Sequence, residues 1–208
     1  VAGLFKKAVI SDYISINFVE RIFDNPTLYS GVENLMGLYG YALQIYCDFS
    51  GYSDMAIGIA LLLGFHFNLN FNSPYKSASI TEFWRRWHIS LTTWFRDYIY
   101  IPLGGSRGGK WQSFRNTVVI FLVSGLWHGA NWTFICWGAF HALLFLPLLL
   151  LGRNRRFTDV VVKGKKLPTL RETVQMICTF ILVVLGWIIF RSRTIYDAWQ
   201  YIVRMITN

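Results

Sequence analysis

Charged residues are scarce in this chain, and acidic residues are the scarcest. Only 15% of the 208 residues are charged, with 11 Asp and Glu against 20 Lys and Arg. A soluble domain of average composition carries about 25% charged residues. Hydrophobic residues make up 54% of the chain and aromatic residues 18%, and the mean hydropathy is +0.38. This composition argues against a soluble domain and indicates an integral membrane protein.

The net charge of +9 does not indicate nucleic acid binding. The basic residues cluster in loops between apolar runs, which is typical of cytoplasmic loops of membrane proteins. We therefore expect a lipid bilayer as the partner of this surface and no nucleic acid. The chain also opens at Val1 without an initiator methionine, which indicates a piece of a longer protein.

Motifs for metals, disulfides and nucleotides are missing as well. Cys47, Cys136 and Cys178 all lie in apolar segments without a C-x-x-C spacing, which favours small buried side chains. The four histidines form neither H-x-x-x-H nor H-E-x-x-H, so no metal site is predicted. The Gly-rich stretch "IPLGGSRGGKWQSFR" lacks the spacing of a P-loop.

Apolar runs predict the helices that cross or line the membrane. Residues 132–151 and 174–190 carry no charge and are long enough to span, with a basic loop at 152–172 between them. Residues 35–67 exceed one straight span, which predicts a bend near Gly51, and Ala56, Ala60 and Gly64 form a small-residue stripe. The N-terminal segment "GLFKKAVISDYISINFVERIF" is predicted to lie at the interface, and the tail "YDAWQYIVRMI" is amphipathic.

A polar aromatic helix is predicted at "ITEFWRRWHISLTTWF". Ser79 and Glu82 have the S-x-x-E spacing of a capping box at its start. Glu82 can pair with either Arg85 or Arg86, which follow it by three and four residues. On one continuous helix, His88 would share a face with Trp84, Leu91 and Phe95. His88 is then either an interfacial residue or a polar group facing a cavity.

His128 lies in "SGLWHGANWTF", between two apolar runs whose outer flanks are basic loops. If both loops are cytoplasmic, the chain rises and returns between them. The rising leg, residues 116–127, would climb about 18 Å of a hydrocarbon core about 30 Å thick. The turn with His128 is therefore expected inside the membrane, where it must be buried in protein or line a wet cavity.

Ionisable residues are rare inside a membrane and commonly belong to functional sites, so we expect a functional role for this imidazole. The alternative is a role in packing. Gly129 is expected to leave room for a ligand, and Trp127, Trp132 and Trp137 can form an apolar wall. A neutral imidazole there can take a proton from a hydroxyl. We expect His141 to be a helix-packing hydrogen bonder and His66 to be interfacial.

Two acidic residues in "YCDFSGYSD" also need partners in a membrane. Asp48 and Asp54 could pair with Arg85, Arg86 or Arg96, as a buried network or as substrate contacts. Two function classes therefore remain from the residues alone. One is an intramembrane enzyme with His128 as base, and the other is a transporter or channel lined by His128, Asp48 and Asp54. A transporter predicts paired broken helices, of which "FSGYS" offers one candidate.

Three long motifs resemble one family, in that family's order. They are "LQIYCDFSGYSDMAIGIALLLGF", "NFNSPYKSASITEFWRRWHISLTTWFRDYIYIPLGG" and "GLWHGANWTFICWGAFHAL". Together they are similar to the membrane-bound O-acyltransferase family, in the branch that acetylates bacterial polysaccharides such as alginate. The resemblance implies an all-α, polytopic helical bundle with interfacial and intramembrane helices. Residues 1–208 would be part of a single transmembrane domain that lacks N-terminal and C-terminal helices.

The resemblance also implies an activity and its residues. His128 in W-H-G would be the catalytic histidine, and His88 in W-R-R-W-H the second histidine of the active site. The family transfers an acyl group from a thioester to a hydroxyl, with no tightly bound cofactor. In this branch the donor is expected to be cytoplasmic acetyl-CoA and the acceptor an exported polysaccharide, with periplasmic acetyl-transfer proteins as partners. The expected location is the bacterial inner membrane.

The chemistry of a thioester assigns further roles as hypotheses. Acyl transfer from a thioester to a hydroxyl needs a base, for which His128 is the candidate. It also needs a group that stabilises the oxyanion formed at the thioester carbonyl. His88 could polarise the carbonyl or orient His128, and the sequence leaves both roles open. Asn131, or backbone N–H groups near Gly129, could bind the oxyanion. Further expected substrate contacts are Trp127, Asp48 and, for the phosphates of coenzyme A, Arg107 and Lys110.

Overall fold

Helices form nearly all the secondary structure of this chain. The structure is a computed structural model that describes residues 1–152 and 168–207. No strand occurs within those residues, and the one isolated bridge joins Phe71 to Trp87. The predicted all-α class is therefore confirmed. Two compact units make up the chain: Val1–Asn70 with Trp187–Asn208, and Phe71–Gly186.

The first unit begins with a helical segment that lies along a long helix, α4 (Gly31–Leu62). Wide π-helical turns at Phe5–Ser11 and Ser15–Val19 alternate with three short helices, which are α1 (Ala2–Leu4), α2 (Asp12–Ile14) and α3 (Glu20–Asp24). The two partners cross at glycines: a Cβ added to Gly51 would lie 2.7 Å from the carbonyl oxygen of Gly3. This crossing places Lys6 and Lys7 beside α4.

The helix α4 is continuous through Gly51, so its helical hydrogen bonding is not interrupted where the bend was predicted. Its 32 residues begin at a complete capping box, in which the side chains of Ser30 and Glu33 satisfy each other's backbone N–H. It ends where Gly64 adopts a φ of +82° and Phe65 donates its N–H to the Ala60 carbonyl at 2.8 Å. Gly64 therefore terminates the helix and does not extend a packing stripe.

The last helix, α10 (Ile195–Thr207), packs on α4 and confirms the predicted amphipathic tail. Tyr201 is buried on its inner side, stacks on Phe23 with ring centroids 4.4 Å apart, and donates its hydroxyl to the Asn34 carbonyl at 2.6 Å. Trp199 and Ile206 are exposed on its outer side. Such a helix suits a membrane surface, and its interfacial placement stays a prediction, as does that of the N-terminal segment.

The second unit contains the helices from α5 to α8 and most of α9. In chain order they are α5 (Ile80–Arg86), α6 (Ile89–Phe95), α7 (Gly109–His128), α8 (Trp132–Leu150) and α9 (Leu170–Arg191). Both α8 and α9 are long and apolar enough to cross a membrane, with mean hydropathies of 1.9 and 2.3. These helices match the two predicted spans. The predicted basic loop between them falls mainly on residues 153–167, which lie outside the described residues.

The helices α7 and α8 form a hairpin whose backbones nearly touch. A Cβ on Gly125 would overlap the Phe134 carbonyl, and a Cβ on Gly138 would overlap the Phe121 carbonyl. Small residues at a helix interface allow this approach, which membrane helices commonly use. The hairpin therefore fixes residue 128, at the end of α7, against the first turns of α8.

The helix α7 begins at Gly109, seven residues earlier than the predicted rising leg. Gly-rich turns precede it, and Asn116 orders them by donating to the carbonyls of Leu103 at 3.2 Å and Gly105 at 2.9 Å. A helix of 20 residues is about 30 Å long, so its length alone no longer puts its end partway across the membrane. Its uncharged part still begins after Arg115, and the depth of His128 stays a prediction.

Gly138→Ala is expected to destabilise the protein because its new methyl group meets a backbone carbonyl that cannot rotate away. We expect a loss of roughly 1–3 kcal/mol, as for other overpacked interiors. The matched control is Gly58→Ala on α4, where an added Cβ meets nothing within 4 Å and Ala favours helix. Thermal unfolding in detergent measures both, and equal midpoints for the two variants would contradict the close packing.

Candidate active site

His88 lies at a break between two helices, so the prediction of one helix from residue 80 to residue 95 is wrong. The first helix ends at Arg86 and the next begins at Ile89, and His88 between them has a φ of +46°. A non-glycine residue rarely adopts this left-handed conformation, which costs free energy and is typical of functional sites. His88 consequently does not share a helical face with Trp84.

Contacts with the preceding connector hold this break in place. Asn72 donates its N–H to the Arg86 carbonyl at 3.0 Å, and Arg86 Nη1 donates to the Asn72 carbonyl at 3.3 Å. The bridge between Phe71 and Trp87 follows directly. The Trp87 ring meets Phe71 edge-on at 5.0 Å and stacks on Phe83 at 5.6 Å. Residues 86–87 therefore pair with the extended residues 71–72, and this pairing takes the place of the helical hydrogen bonds that would have made the helix continuous across His88.

The start of α5 is fixed by a buried carboxylate. Ser79 caps the helix as predicted, since its hydroxyl accepts the Glu82 N–H at 3.2 Å. The Glu82 carboxylate in turn accepts a hydrogen bond from the Ala78 N–H at 2.7 Å. Its other oxygen forms an ion pair with Arg86 at 2.6 Å, and both side chains are buried. Of the two predicted partners of Glu82, the structure therefore selects Arg86 rather than Arg85.

His128 is the last residue of α7 and lies within a cluster of aromatic rings. Its ring centroid is 5.4 Å from that of Trp137, nearly perpendicular to it, and 6.0 Å from that of Phe134. Trp137 is 1% exposed and forms the buried part of the predicted wall, whereas Trp132 is 71% exposed and lies outside it. A Cβ on Gly129 would lie 2.9 Å from the Phe134 ring, so Phe134 occupies the space expected for a ligand there.

The two histidines predicted to be catalytic meet at Trp127. The His88 ring centroid is 6.2 Å from that of Trp127, and the His128 centroid is 5.0 Å from it. The shared location is a structural finding, and the catalytic roles stay predictions.

The other predicted substrate contacts lie in different places. Trp127 is 59% exposed beside the histidines. Asn131 is the N-cap of α8, where its side-chain oxygen accepts the Thr133 N–H at 3.2 Å. Arg107 is exposed before α7, and Lys110 donates to the Leu150 carbonyl at 2.8 Å, at the end of α8. About 27 Å of helix separate Lys110 from His128, so any contact with phosphates would be remote from the acyl group.

Asp48 and Asp54 belong to the first unit and pair with lysines, so the predicted arginine partners are wrong. Lys7 forms an ion pair with Asp48, and Lys6 forms one with Asp54 at 2.7 Å. The hydrogen bond to Asp54 raises the pKa of Lys6, which keeps this ammonium charged. Of the expected partners, Arg86 binds Glu82 and Arg96 binds Asp97. Local sequence patterns do not predict these pairs because the two lysines lie more than 40 residues before the aspartates.

Of the two remaining histidines, His141 follows its prediction, and the interfacial position of His66 stays a prediction. His141 is fully buried on α8, and its Nδ1 accepts the Nε1–H of Trp84 at 3.3 Å. His66 is exposed just after α4. Within residues 1–152 and 168–207, no group of three His, Cys, Asp or Glu side chains is placed to hold a metal ion.

Comparison with known proteins assigns the family. The model of the membrane-bound O-acyltransferase family matches residues 8–186, which include both histidines and all of the helices that position them. The chain belongs to the membrane-bound O-acyltransferase family. The resemblance of the three motifs is thereby confirmed, and the protein is a membrane protein.

Curated relatives carry related activities in their names. The chain is 46% identical over 200 residues to a probable alginate O-acetylase of Pseudomonas aeruginosa and 40% identical over 204 residues to a peptidoglycan O-acetyltransferase of Helicobacter pylori. It is 32% identical over 202 residues to a teichoic acid D-alanyltransferase of Bacillus subtilis. These alignments cover 95%, 98% and 92% of the chain but only 36%, 37% and 49% of the relatives. The chain thus spans between about a third and half the length of these relatives.

Glu82→Ala is expected to destabilise the protein by roughly 3–5 kcal/mol, because it leaves the Arg86 guanidinium buried without its counter-ion. The control is Asp97→Ala, which removes the exposed partner of Arg96 and should cost about 1 kcal/mol or less. Protease resistance and thermal unfolding of membrane-extracted protein compare the two. A loss from Glu82→Ala as small as that from Asp97→Ala would show that the pair does not hold the break at His88.

Proposed function

We propose that the protein is a membrane-embedded O-acyltransferase that moves an acetyl group from a thioester, acetyl-CoA, to hydroxyls of an exported polysaccharide. The observation that carries this proposal is the meeting of His88 and His128 at Trp127, in a chain of the membrane-bound O-acyltransferase family.

The reaction needs little beyond what these residues offer. The hydroxyl oxygen attacks the thioester carbonyl carbon while the neutral imidazole of His128 removes the hydroxyl proton. The carbon–sulfur bond then breaks, and the thiolate of coenzyme A takes up that proton as it leaves. His88 either polarises the carbonyl oxygen or orients His128, and both roles fit its position. The Asn131 side-chain oxygen caps α8, so its amide N–H groups are the part of this residue that would donate to the oxyanion, whereas the Gly129 N–H already donates to the Leu126 carbonyl at 3.2 Å.

The names of the relatives support an acetyl group and a polysaccharide acceptor. Two acetyl-transferring relatives are 46% and 40% identical to the chain, whereas the D-alanyl-transferring relative is 32% identical. The first of them is named for alginate, so alginate or a similar exopolysaccharide is the proposed acceptor. Because the chain covers 36% of that relative, we assign the activity to the full-length protein.

A transporter is the weaker proposal. It required a path lined by His128, Asp48 and Asp54, together with broken helices. Both aspartates instead pair with lysines of the N-terminal segment, and α4 runs unbroken through "FSGYS". The two aspartates and the "FSGYS" segment, which favoured a transporter in the sequence, are therefore explained by ion pairs and by a continuous helix.

The proposed setting is the bacterial inner membrane, which the chain would cross several times as part of a single transmembrane domain. Acetyl-CoA is cytoplasmic and the polysaccharide is exported, so donor and acceptor would meet at a site within the bilayer. Arg107 and Lys110 would face the cytoplasm, at the far end of α7 from His128, where coenzyme A phosphates could be attracted. Periplasmic acetyl-transfer proteins are the proposed partners on the opposite side.

His128→Ala in the full-length protein should abolish polysaccharide acetylation because the hydroxyl loses its base, and His88→Ala should impair it severely. His66→Ala is the control, since that histidine is exposed outside the aromatic cluster. Acetyl content of surface polysaccharide, normalised to protein in the membrane, measures all three. Near-normal acetylation by His128→Ala would contradict the proposal, and a His88→Ala defect that only follows protein level would make His88 structural.

A cysteine at position 128 should react with membrane-impermeant thiol reagents more slowly than a cysteine on an exposed loop, since we place this turn within the membrane. The experiment replaces Cys47, Cys136 and Cys178 first, so that residue 128 carries the only thiol of the known sequence. A cysteine at exposed His66 provides the matched control. Labelling of position 128 as fast as that of an exposed loop would refute the placement.

A further inference from the structure

His141 lies where three helices of the second unit meet. Its side chain is 0% exposed on α8, and Trp84 of α5 donates its Nε1–H to the Nδ1 atom at 3.3 Å. Gly186 of α9 faces the opposite nitrogen: a Cβ added there would lie 2.8 Å from Nε2. A glycine at position 186 therefore makes room for the imidazole.

The hydrogen bond defines the protonation state of His141. An indole N–H can only donate, so the Nδ1 atom that receives it carries no proton. The imidazole is then neutral, with its proton on Nε2. Among the described residues, Nε2 has no hydrogen-bond partner, which is a cost for a buried polar atom. An apolar residue of similar size would avoid that cost, so packing alone does not account for an imidazole at this position.

The bond between Trp84 and His141 joins the two halves of the candidate active site. Trp84 precedes His88 by four residues, on the short helix that leads into the strained turn. Trp137 precedes His141 by four residues on α8. Its ring meets the rings of His141 at 5.2 Å, Trp84 at 5.5 Å and His128 at 5.4 Å. The bond thus connects the segment that carries His88 to the ring against which His128 lies.

We propose that His141 is a positioning residue, whose acceptor nitrogen holds Trp84 so that His88 and His128 keep the separation that acyl transfer requires. The inference rests on the proposed function and adds a third histidine to it. His141 touches neither donor nor acceptor in this account, and acts through Trp84 and Trp137. Misplacement of a reacting group by about 1 Å can cost about 100-fold in rate, so a single buried hydrogen bond can matter here.

The test compares two replacements of His141 in the full-length protein. His141→Phe keeps an aromatic ring and removes the acceptor, whereas His141→Asn keeps an acceptor oxygen near the position of Nδ1. We expect His141→Phe to lower kcat by about 10- to 100-fold with KM for acetyl-CoA unchanged. His141→Asn should retain more activity than His141→Phe. Rates are expressed per amount of folded protein, from transfer of labelled acetyl groups to alginate in membranes that also hold the proposed periplasmic acetyl-transfer proteins.

A second variant removes the same bond from the other side. Trp84→Phe loses the donor and keeps a ring, and it serves on its own if His141→Phe does not reach the membrane. The variant with both changes should be no slower than the slower single variant, because each change already removes the whole interaction. A double variant whose loss of kcat equals the product of the two single losses would overturn the inference.

The remaining outcomes separate this inference from the proposed function. If the wild type transfers no acetyl groups, or His128→Ala transfers them normally, the proposed function itself fails. With an active wild type and an inactive His128→Ala, the positioning role alone is overturned by a His141→Phe variant with wild-type kcat. It is also overturned if Phe and Asn at position 141 lose activity equally, or if activity falls only in proportion to folded protein.

Discussion

The close approach of α7 and α8 is the constraint on which the candidate active site depends. Gly125 and Gly138 have no side chains, so each backbone lies against a carbonyl of the other helix. Only at this distance does His128, at the end of α7, come into contact with Trp137 on α8. Trp137 in turn contacts Trp84 and His141. A wider hairpin would separate His128 from the aromatic cluster, whatever the chemistry of its side chain.

The left-handed turn at His88 is the second constraint, and it was not predictable from local sequence. Capping at Ser79 and the pairing of Glu82 four residues before Arg86 follow helical spacing, and both were predicted. Helix propensity also extends without a glycine or proline from Ile80 to Phe95. The break arises from backbone pairing with residues 71–72, a contact that no helical periodicity encodes. Strain at this point is therefore set by tertiary structure.

Sequence patterns succeeded where the physics is local and failed where it is not. The spans at α8 and α9 and the amphipathic α10 follow from hydropathy and periodicity, and the structure has all three. The partners of Asp48 and Asp54 lie on a segment distant in the chain, and neither the continuity of α4 at Gly51 nor the start of α7 at Gly109 follows from hydropathy. His88 and His128 are both predictable from their motifs. Their common neighbour, Trp127, and the link through Trp84 and His141 follow only from the tertiary structure.

The central claim is that His88 and His128 belong to one reacting site. Residues that act as a unit show strongly non-additive effects when they are replaced together. The most direct measurement is kcat/KM for acetyl transfer by full-length protein carrying His88→Gln, His128→Gln or both, since glutamine keeps the size and polarity of the side chain. One shared site predicts that the double variant is about as slow as the slower single variant. Losses that multiply would contradict the claim and would place the two histidines in independent roles.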